Sequence, residues 1–295
     1  MTTPDCLTVV RDMFKALQIP QAESDKRIIV IPDGLAWAGG PPSPRREATG
    51  LLGMEELLTR GTLTTEAKFD GKDAQETSFL CYSSVASSGT TGKPKGVETT
   101  HQNVTSLVDI VEPTFPSMKY GEDKMLSLLP FYHIYGLVKC LLFPLSLGVA
   151  AIIQQRFEPT QFCANIENYK ITVALIVPPV LVVLARHPVV DKHDLSSIKV
   201  LFSGAAPLSA SLTKQVQDRI TARWKNNVAI LQGYGLTETS PTTHLVPIYD
   251  GVRKMGSIGV LLSKLEARLV VDDEGDQVID AEKGSQGVVI RPDAI

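Results

Sequence analysis

The sequence predicts an α/β fold, a doubly wound parallel sheet that runs at its C-terminal end into the start of a β-rich subdomain. Three observations predict it. Continuous apolar runs recur in the second half of the chain, in the form taken by strands buried on both faces of a parallel sheet. Stretches with helical periodicity or helix-start signals lie between them. The strand-plus-helix unit repeats about every two dozen residues, which fits one crossover and two short loops.

Taken in order, residues 27–31 (Arg-Ile-Ile-Val-Ile) form an apolar run closed by Pro32-Asp33-Gly34, which reads as a strand ending in a turn. Residues 35–46, rich in Gly and Pro, read as a surface loop. Residues 78–82 are strand-like, and a helix is expected to begin near His101. Residues 149–153, 172–177, 198–202 and 228–231 are the four apolar runs expected as strands buried on both faces. Helices are expected at 159–169, 178–186 and 209–224. Beyond Gly251 the pattern changes to strands with acidic turns: 266–271, then Asp272-Asp273-Glu274-Gly275-Asp276, then 287–291. The expected division is 1–250 for the doubly wound part and 251–295 for the beginning of the β-rich subdomain.

Composition excludes several function classes. The 295 residues carry 29 Lys and Arg against 32 Asp and Glu, a formal net charge of −3, with no basic block that would grip a phosphate backbone. A nucleic-acid partner is therefore not expected. At 43% apolar and 21% charged residues, the chain has the material for a packed core. Cys6, Cys81, Cys140 and Cys163 share no metal spacing and read as free thiols of a reducing compartment. His101, His187, His193 and His244 show no zinc spacing. Two apolar runs, 137–153 and 171–184, invite a membrane reading. The first is interrupted by Lys139, Pro144 and Gly148, and the second is short and carries Pro178-Pro179. A spanning helix needs about 20 mostly apolar residues, so buried elements broken by turns are expected instead. The N-terminal Met-Thr-Thr-Pro-Asp lacks a signal-peptide pattern, which makes the cytoplasm the expected compartment and the peroxisome the alternative.

The chemically informative segment is Ser87-Ser-Gly-Thr-Thr-Gly-Lys-Pro-Lys-Gly-Val97, set between a strand-like and a helix-like stretch. Its glycines free the backbone to curl round an anion, its hydroxyls and amides donate to phosphate oxygens, and its lysines supply charge. It is not a Walker A loop. Gly89 and Gly92 are too close together, and Lys93 is followed by Pro94 where that motif needs a magnesium-binding hydroxyl.

This segment resembles the phosphate loop of the adenylate-forming superfamily, which holds acyl- and aryl-CoA ligases, firefly-type luciferases and peptide-synthetase adenylation domains. Three further segments resemble its motifs in the same order: Leu129-Pro-Phe-Tyr-His-Ile-Tyr-Gly-Leu137, Phe202-Ser-Gly-Ala-Ala-Pro-Leu208 and Gln232-Gly-Tyr-Gly-Leu-Thr-Glu-Thr239. The His-Ile-Tyr and Gly-Tyr-Gly-Leu-Thr-Glu forms look most like 4-coumarate–CoA ligases and related acyl-CoA ligases. The resemblance implies the large adenylation domain of such a ligase and a carboxylic acid activated by ATP and Mg²⁺, then passed to coenzyme A. It implies that Ser87, Ser88, Gly89, Thr90, Thr91 and Lys95 hold the outer phosphates. Ala205, Gln232 and Gly233 would line the adenine site, Tyr234 would stack on the base, and Thr237 would donate to the α-phosphate. Glu238 would hold Mg²⁺, a hard cation suited to carboxylate oxygen. His133, Tyr135, Lys139 and Gly204 would line the acyl pocket, and Arg156 would meet the CoA phosphates. Lys139 stands where coumarate-type ligases tend to carry a small or polar residue, which argues against a simple aromatic acid.

Two departures accompany the resemblance. Residues 85–88 (Val-Ala-Ser-Ser) are additional to the family pattern and are expected to bulge outward ahead of an intact loop. The family's later segments, a ribose-binding aspartate, an arginine hinge and a small lid domain with a catalytic lysine, have no counterpart, so the chain is expected to be an incomplete ligase, impaired and poorly soluble alone. Two alternatives stand beside the ligase: a non-catalytic nucleotide- or acyl-binding remnant, and a luciferase-like or carrier-loading adenylating enzyme.

Overall fold

The computed structural model describes residues 1–31, 50–58, 64–83, 95–270 and 288–290. The expected loop at 35–46, the additional residues 85–88, most of the glycine-rich segment and the acidic turn at 272–276 lie outside the described residues. The chain divides into two compact units, residues 1–68 and 69–295.

In the first unit, helices α1 (Leu7–Ala16) and α2 (Gln21–Arg27) precede strand β1 (Ile29–Val30), which pairs in parallel with β2 (Leu52–Gly53) ahead of α3 (Met54–Leu58). Ile28, Val30 and Leu51 are buried together against Leu7, Val10 and Phe14 of α1, a small core of its own.

The second unit opens with an antiparallel pair, β3 (Thr77–Ser83) and β4 (Lys95–Thr100), between which the glycine-rich segment falls in the sequence. Thr100 ends β4 and caps α4 (His101–Val111): Asn103 N donates to Thr100 Oγ1 at 3.1 Å, and Thr100 N donates to Asn103 Oδ1 at 2.9 Å. The reciprocal pair satisfies two amide donors that the first helical turn leaves unpaired.

The large sheet then forms from β5 (Lys124–Ser127), β6 (Ala150–Ile153), β7 (Val173–Ile176), β8 (Val200–Ser203), β9 (Ala229–Gly235), β10 (Thr242–Leu245) and β11 (Val260–Leu261). Its seven strands lie in the order β11-β10-β9-β8-β7-β5-β6. From β6 to β9 all neighbours are parallel, whereas β10 and β11 add on antiparallel. The chain starts at β5, steps to β6 on one side, then crosses to β7, β8 and β9 on the other. Right-handed crossovers place those two sets of connections on opposite faces, which is the doubly wound arrangement.

Burial follows position in the sheet. Every residue of β7 and β8 is buried, as two covered faces require. Each fully buried Leu or Ile there contributes about 1.5–3 kcal/mol. The reading of 149–153 as a doubly buried strand is corrected: β6 is the edge strand, and its residues are exposed or half-buried. The expected helices form with clear local causes. Helix α6 (Pro159–Tyr169) starts on Pro159 with Glu158 accepting from Thr160 N and Gln161 N at 3.0 and 2.6 Å. Helix α7 (Pro178–Arg186) begins on Pro178-Pro179 and so turns the second apolar run into strand plus helix. Helix α8 (Ala210–Trp224) is capped by Ser209, whose Oγ accepts from Leu212 N at 3.3 Å.

The first apolar run resolves differently from a plain helix. Residues Tyr135–Leu142 form a π-helix that continues into α5 (Phe143–Ser146) before β6. Ser127 Oγ of β5 donates to Cys140 O at 2.6 Å and ties this wide helix to the sheet. Residues Arg268–Val270 (β12) and Val288–Ile290 (β13) pair antiparallel, while β11 has returned to the large sheet. Among the described residues no helix is long and apolar enough to cross a membrane.

Candidate active site

A cavity of about 410 Å³ opens beyond the carboxyl ends of β8 and β9, where doubly wound sheets bind their ligands. Three of the four motif segments build it. The segment after β5 supplies Tyr132, His133, Ile134 and Tyr135. The end of β8 supplies Phe202, Gly204 and Ala205, and β9 with the turn after it supplies residues 233–238. Tyr82, at the end of β3, closes another side.

The part of the wall contributed by residues 132–135 is built around Tyr135. It is 8% exposed, and its hydroxyl donates to Phe202 O at 3.4 Å. Burial raises its pKa well above 10.0, so the phenol stays neutral. A Cβ on Gly204 would come within 2.9 Å of the Tyr135 ring, and a Cβ on Gly136 within 2.1 Å of the Pro130 carbonyl oxygen. Both glycines are therefore set by close packing. Tyr135 N donates to His133 Nδ1 at 3.1 Å, which leaves the neutral ring's proton on Nε2. Desolvation lowers the His133 pKa and favours that neutral form.

The part of the wall built from β9 and the turn after it is backbone-rich. Gly233 packs so close to Phe202 and His244 O that a Cβ would fall 2.8 and 2.9 Å from them. Tyr234 lies in β9 beside His244, ring centroids 5.9 Å apart. Ala205 holds a left-handed backbone, φ 68°, at the cavity edge. Thr237 and Glu238 begin a 3₁₀ turn, Thr237–Thr239, that lies against β3 and β4. The turn is braced by Thr239, whose Oγ1 accepts from Leu236 N at 2.8 Å and donates to Pro241 O at 2.5 Å. Thr237 and Glu238 line the cavity, and no side-chain hydrogen bond or ion pair of theirs occurs among the described residues.

Not every sequence-predicted residue reaches this cavity. Ser87, Ser88, Gly89, Thr90 and Thr91 lie outside the described residues. Lys95 is exposed at the start of β4, opposite Ser83, and belongs to the strand pair rather than the cavity wall. Gln232 is buried with both ends of its amide engaged, accepting from Leu208 N at 3.2 Å and donating to Ser257 O at 2.7 Å. It braces the turn after β8 instead of facing the cavity. Arg156 is exposed beyond the end of β6, away from the cavity lining. Lys139 is absent from the cavity lining: it is 1% exposed and lies behind the wall. Tyr82, Tyr132 and Phe202 were not singled out by the sequence. Tyr132 and Phe202 stand inside quoted motifs, and only their chemistry as flat apolar walls signalled them.

A doubly wound sheet with a cavity at its strand ends, lined by Gly-Tyr-Gly and Thr-Glu, defines an α/β protein with a cavity where such sheets bind their ligands. The chain belongs to the AMP-binding enzyme family, whose model matches residues 7–291. It is 41% identical over 198 residues to a probable 4-coumarate–CoA ligase 1 of Dictyostelium discoideum, covering 67% of this chain and 35% of that protein. It is 37% identical over 214 residues to 4-coumarate:CoA ligase 1 of Petunia hybrida, covering 71% of this chain and 38% of that one. The match thus spans roughly a third of the length of these relatives. Among solved structures it is similar to an anthranilate CoA ligase in complex with anthranoyl-AMP, with a TM-score of 0.73 at 20% identity over 97% of this chain and 48% of that one. ATP-bound MatB from Rhodopseudomonas palustris gives a TM-score of 0.66 at 24% identity, over 88% and 49% of the two chains. At these identities the structural likeness speaks for the fold alone.

Proposed function

We propose that this chain carries the nucleotide- and acyl-binding core of an AMP-forming acid–thiol ligase. In the reaction, a carboxylate oxygen of the acid attacks the α-phosphorus of ATP, the bond to the β-phosphate breaks, and pyrophosphate leaves. The thiol of coenzyme A then loses its proton, adds to the acyl carbon and displaces AMP. The observation that carries the reading is the pair Thr237 and Glu238, a hydroxyl and a carboxylate without side-chain partners among the described residues, on a braced turn inside the family's motif.

Each role follows from residue chemistry. Thr237 Oγ donates to an α-phosphate oxygen as negative charge builds there, an interaction most valuable in the transition state. The Glu238 carboxylate suits Mg²⁺, which takes one or two carboxylates plus substrate phosphates and, when bound, offsets charge on the departing pyrophosphate. Tyr234 offers a ring face to adenine, with Ala205 and Gly233 letting the backbone approach. Ser87, Ser88, Gly89, Thr90, Thr91 and Lys95 supply hydroxyls, amides and charge to the outer phosphates. His133, Tyr135 and Gly204 receive the acyl group, Tyr135 as a neutral wall and His133 as an Nε2 donor. Arg156 meets the CoA phosphates on the outer surface. The cytoplasm is the compartment this reading takes, with the peroxisome as the alternative.

The test is carboxylate-dependent exchange of labelled pyrophosphate into ATP by the purified chain, with binding of AMP measured alongside. Exchange with Mg²⁺ and a carboxylic acid supports the ligase. Nucleotide binding without exchange refutes catalysis by this polypeptide and leaves a binding protein.

A further inference from the structure

The least compensated charged group among the described residues lies one layer behind the acyl wall. Lys139 sits in the π-helix, is 1% exposed, and its Nζ has no hydrogen-bond partner among the described residues. No carboxylate pairs with it among the described residues. Its neighbours are aromatic: Nζ lies 4.9 Å from the Phe143 ring centroid and 5.3 Å from that of Phe115. An ammonium over two ring faces keeps some stabilisation but none of its three hydrogen bonds. A protein interior seldom holds such a group unless something supplies the missing partner.

The position indicates where that partner enters. Four residues earlier on the same helix, Tyr135 lines the cavity. Phe115 lies 5.6 Å from Phe202, and Phe202 lines the cavity too. The Phe115 and Phe202 rings thus form a contact chain from Nζ to the cavity wall. The tail of an acid whose carboxyl group faces the α-phosphate would run toward this layer, and rotation of the ring pair would uncover the ammonium.

We propose that Lys139 is the receptor for an anionic tail, so that the acid taken by this site carries a second carboxylate at its far end. The proposal rests on the acyl-activating reading above and names the substrate class for the same cavity. On this assignment the ligand supplies the counter-ion that the fold withholds. Selectivity arises because a plain apolar tail leaves the ammonium buried and unpaired. Burial lowers the Lys139 pKa to about 7, so the charged form is available near neutrality, and a bound carboxylate would favour it further.

The experiment uses the full chain and two non-hydrolysable acyl-sulfamoyl adenosines of equal tail length, one ending in a methyl group and one in a carboxylate, with AMP alone as a third ligand. Calorimetry on the wild type is expected to give at least about 10-fold tighter binding of the carboxylate-tailed compound, the ratio of one charge-assisted hydrogen-bonded pair. In Lys139→Met and in Lys139→Leu the preference is expected to reverse while AMP affinity holds. Equal or tighter binding of the methyl-tailed compound by the wild type overturns the proposal, with no variant needed. A carboxylate preference that survives in either variant overturns it as well. If AMP binds and both acyl compounds bind no better than AMP, this inference fails and nucleotide binding stands. If AMP also fails to bind, the reading beneath it fails too.

Discussion

The Tyr135 ring occupies the space that a side chain at Gly204 would need, with its nearest atoms 2.9, 3.0 and 3.1 Å from an ideal Cβ there. The two residues come from different motifs, 69 positions apart, and each explains the other. Gly204→Ala must push the ring off Phe202 O and into the cavity. Overpacking of this kind costs about 1–3 kcal/mol, read as a lower urea midpoint at unchanged slope. Gly235→Ala is a harsher control, because its Cβ would fall 1.7 Å from the Pro241 carbonyl oxygen, and backbone cannot swing aside. Its loss should exceed about 3 kcal/mol. A Gly204→Ala protein as stable as wild type would refute the ring's placement.

Thr237 and Glu238 should separate function from stability. Neither side chain holds the fold among the described residues, so Thr237→Val and Glu238→Gln should unfold within about 0.5 kcal/mol of wild type. Under the proposed ligase reading, both should lower pyrophosphate exchange by about 100-fold or more. Glu238→Gln should also weaken the dependence of ATP binding on Mg²⁺, read by titrating the metal at fixed nucleotide. Loss of stability in step with exchange would make them structural residues.

An acid-sensitive tie holds the start of β5. The Asp123 side chain, 5% exposed, accepts from Lys199 Nζ and Lys119 N, each at 2.8 Å. Desolvation is the largest influence on its pKa and raises it. The hydrogen bonds from Lys199, Lys119 and Thr172 and the charge of Lys199 together outweigh it, so the net shift is downward from 3.8. A lowered folded pKa means that the carboxylate stabilises the fold above the unfolded value, and the contribution is lost as pH falls through the folded one. Asp123→Asn should therefore cost about 1–3 kcal/mol at pH 7, the scale of hydrogen bonds to a charged group. The difference from wild type should shrink below about pH 4, as denaturation at a series of pH values would show.

Local punctuation made some of this legible in the sequence. Pro159 after Glu158, and Pro178-Pro179 after Val177, marked helix starts to the residue, because proline's fixed φ and missing N–H act without tertiary help. Position in the sheet was not legible. Residues 150–153, Ala-Ala-Ile-Ile, are as apolar as a central strand, yet topology leaves β6 on the edge. Strand β10, Thr-Thr-His-Leu, carries no apolar run and forms because β9 offers it an antiparallel partner. Thr237 and Glu238 were legible through their motif. Gln232 sits in that motif too, yet its amide is taken up by Leu208 and Ser257, contacts 24 and 25 positions away that no local pattern encodes. Lys139 could be seen to interrupt an apolar run, while the two phenylalanines enclosing it come from α5 and from the loop ahead of β5.

That enclosure gives the fold a measurable weakness. Burial lowers the Lys139 pKa from 10.5 to about 7. Below the folded value both states hold the proton and the cost of burying the charge is full. Between the two values the unfolded chain binds a proton that the folded chain has shed, so stability rises with pH. The clean window is pH 7 to 8.5, because burial also lifts Cys140 and Cys163 from 9.0 to about 12. Above pH 9 those thiols ionise in the unfolded chain first and pull stability down. Wild type should gain on the order of 1–2 kcal/mol across the window relative to Lys139→Met, in which the lysine's contribution is gone. At pH 7 the variant should be the more stable by about 1–4 kcal/mol, since a flexible thioether fills the slot between Phe115 and Phe143 without a charge to desolvate. The same substitution is expected to abolish selection for an anionic tail, so stability and selectivity should move in opposite directions at this one position. A Lys139→Met protein less stable than wild type at pH 7 would place a stabilising partner of the lysine inside the fold, and one that shows the same rise with pH would assign that rise to another group.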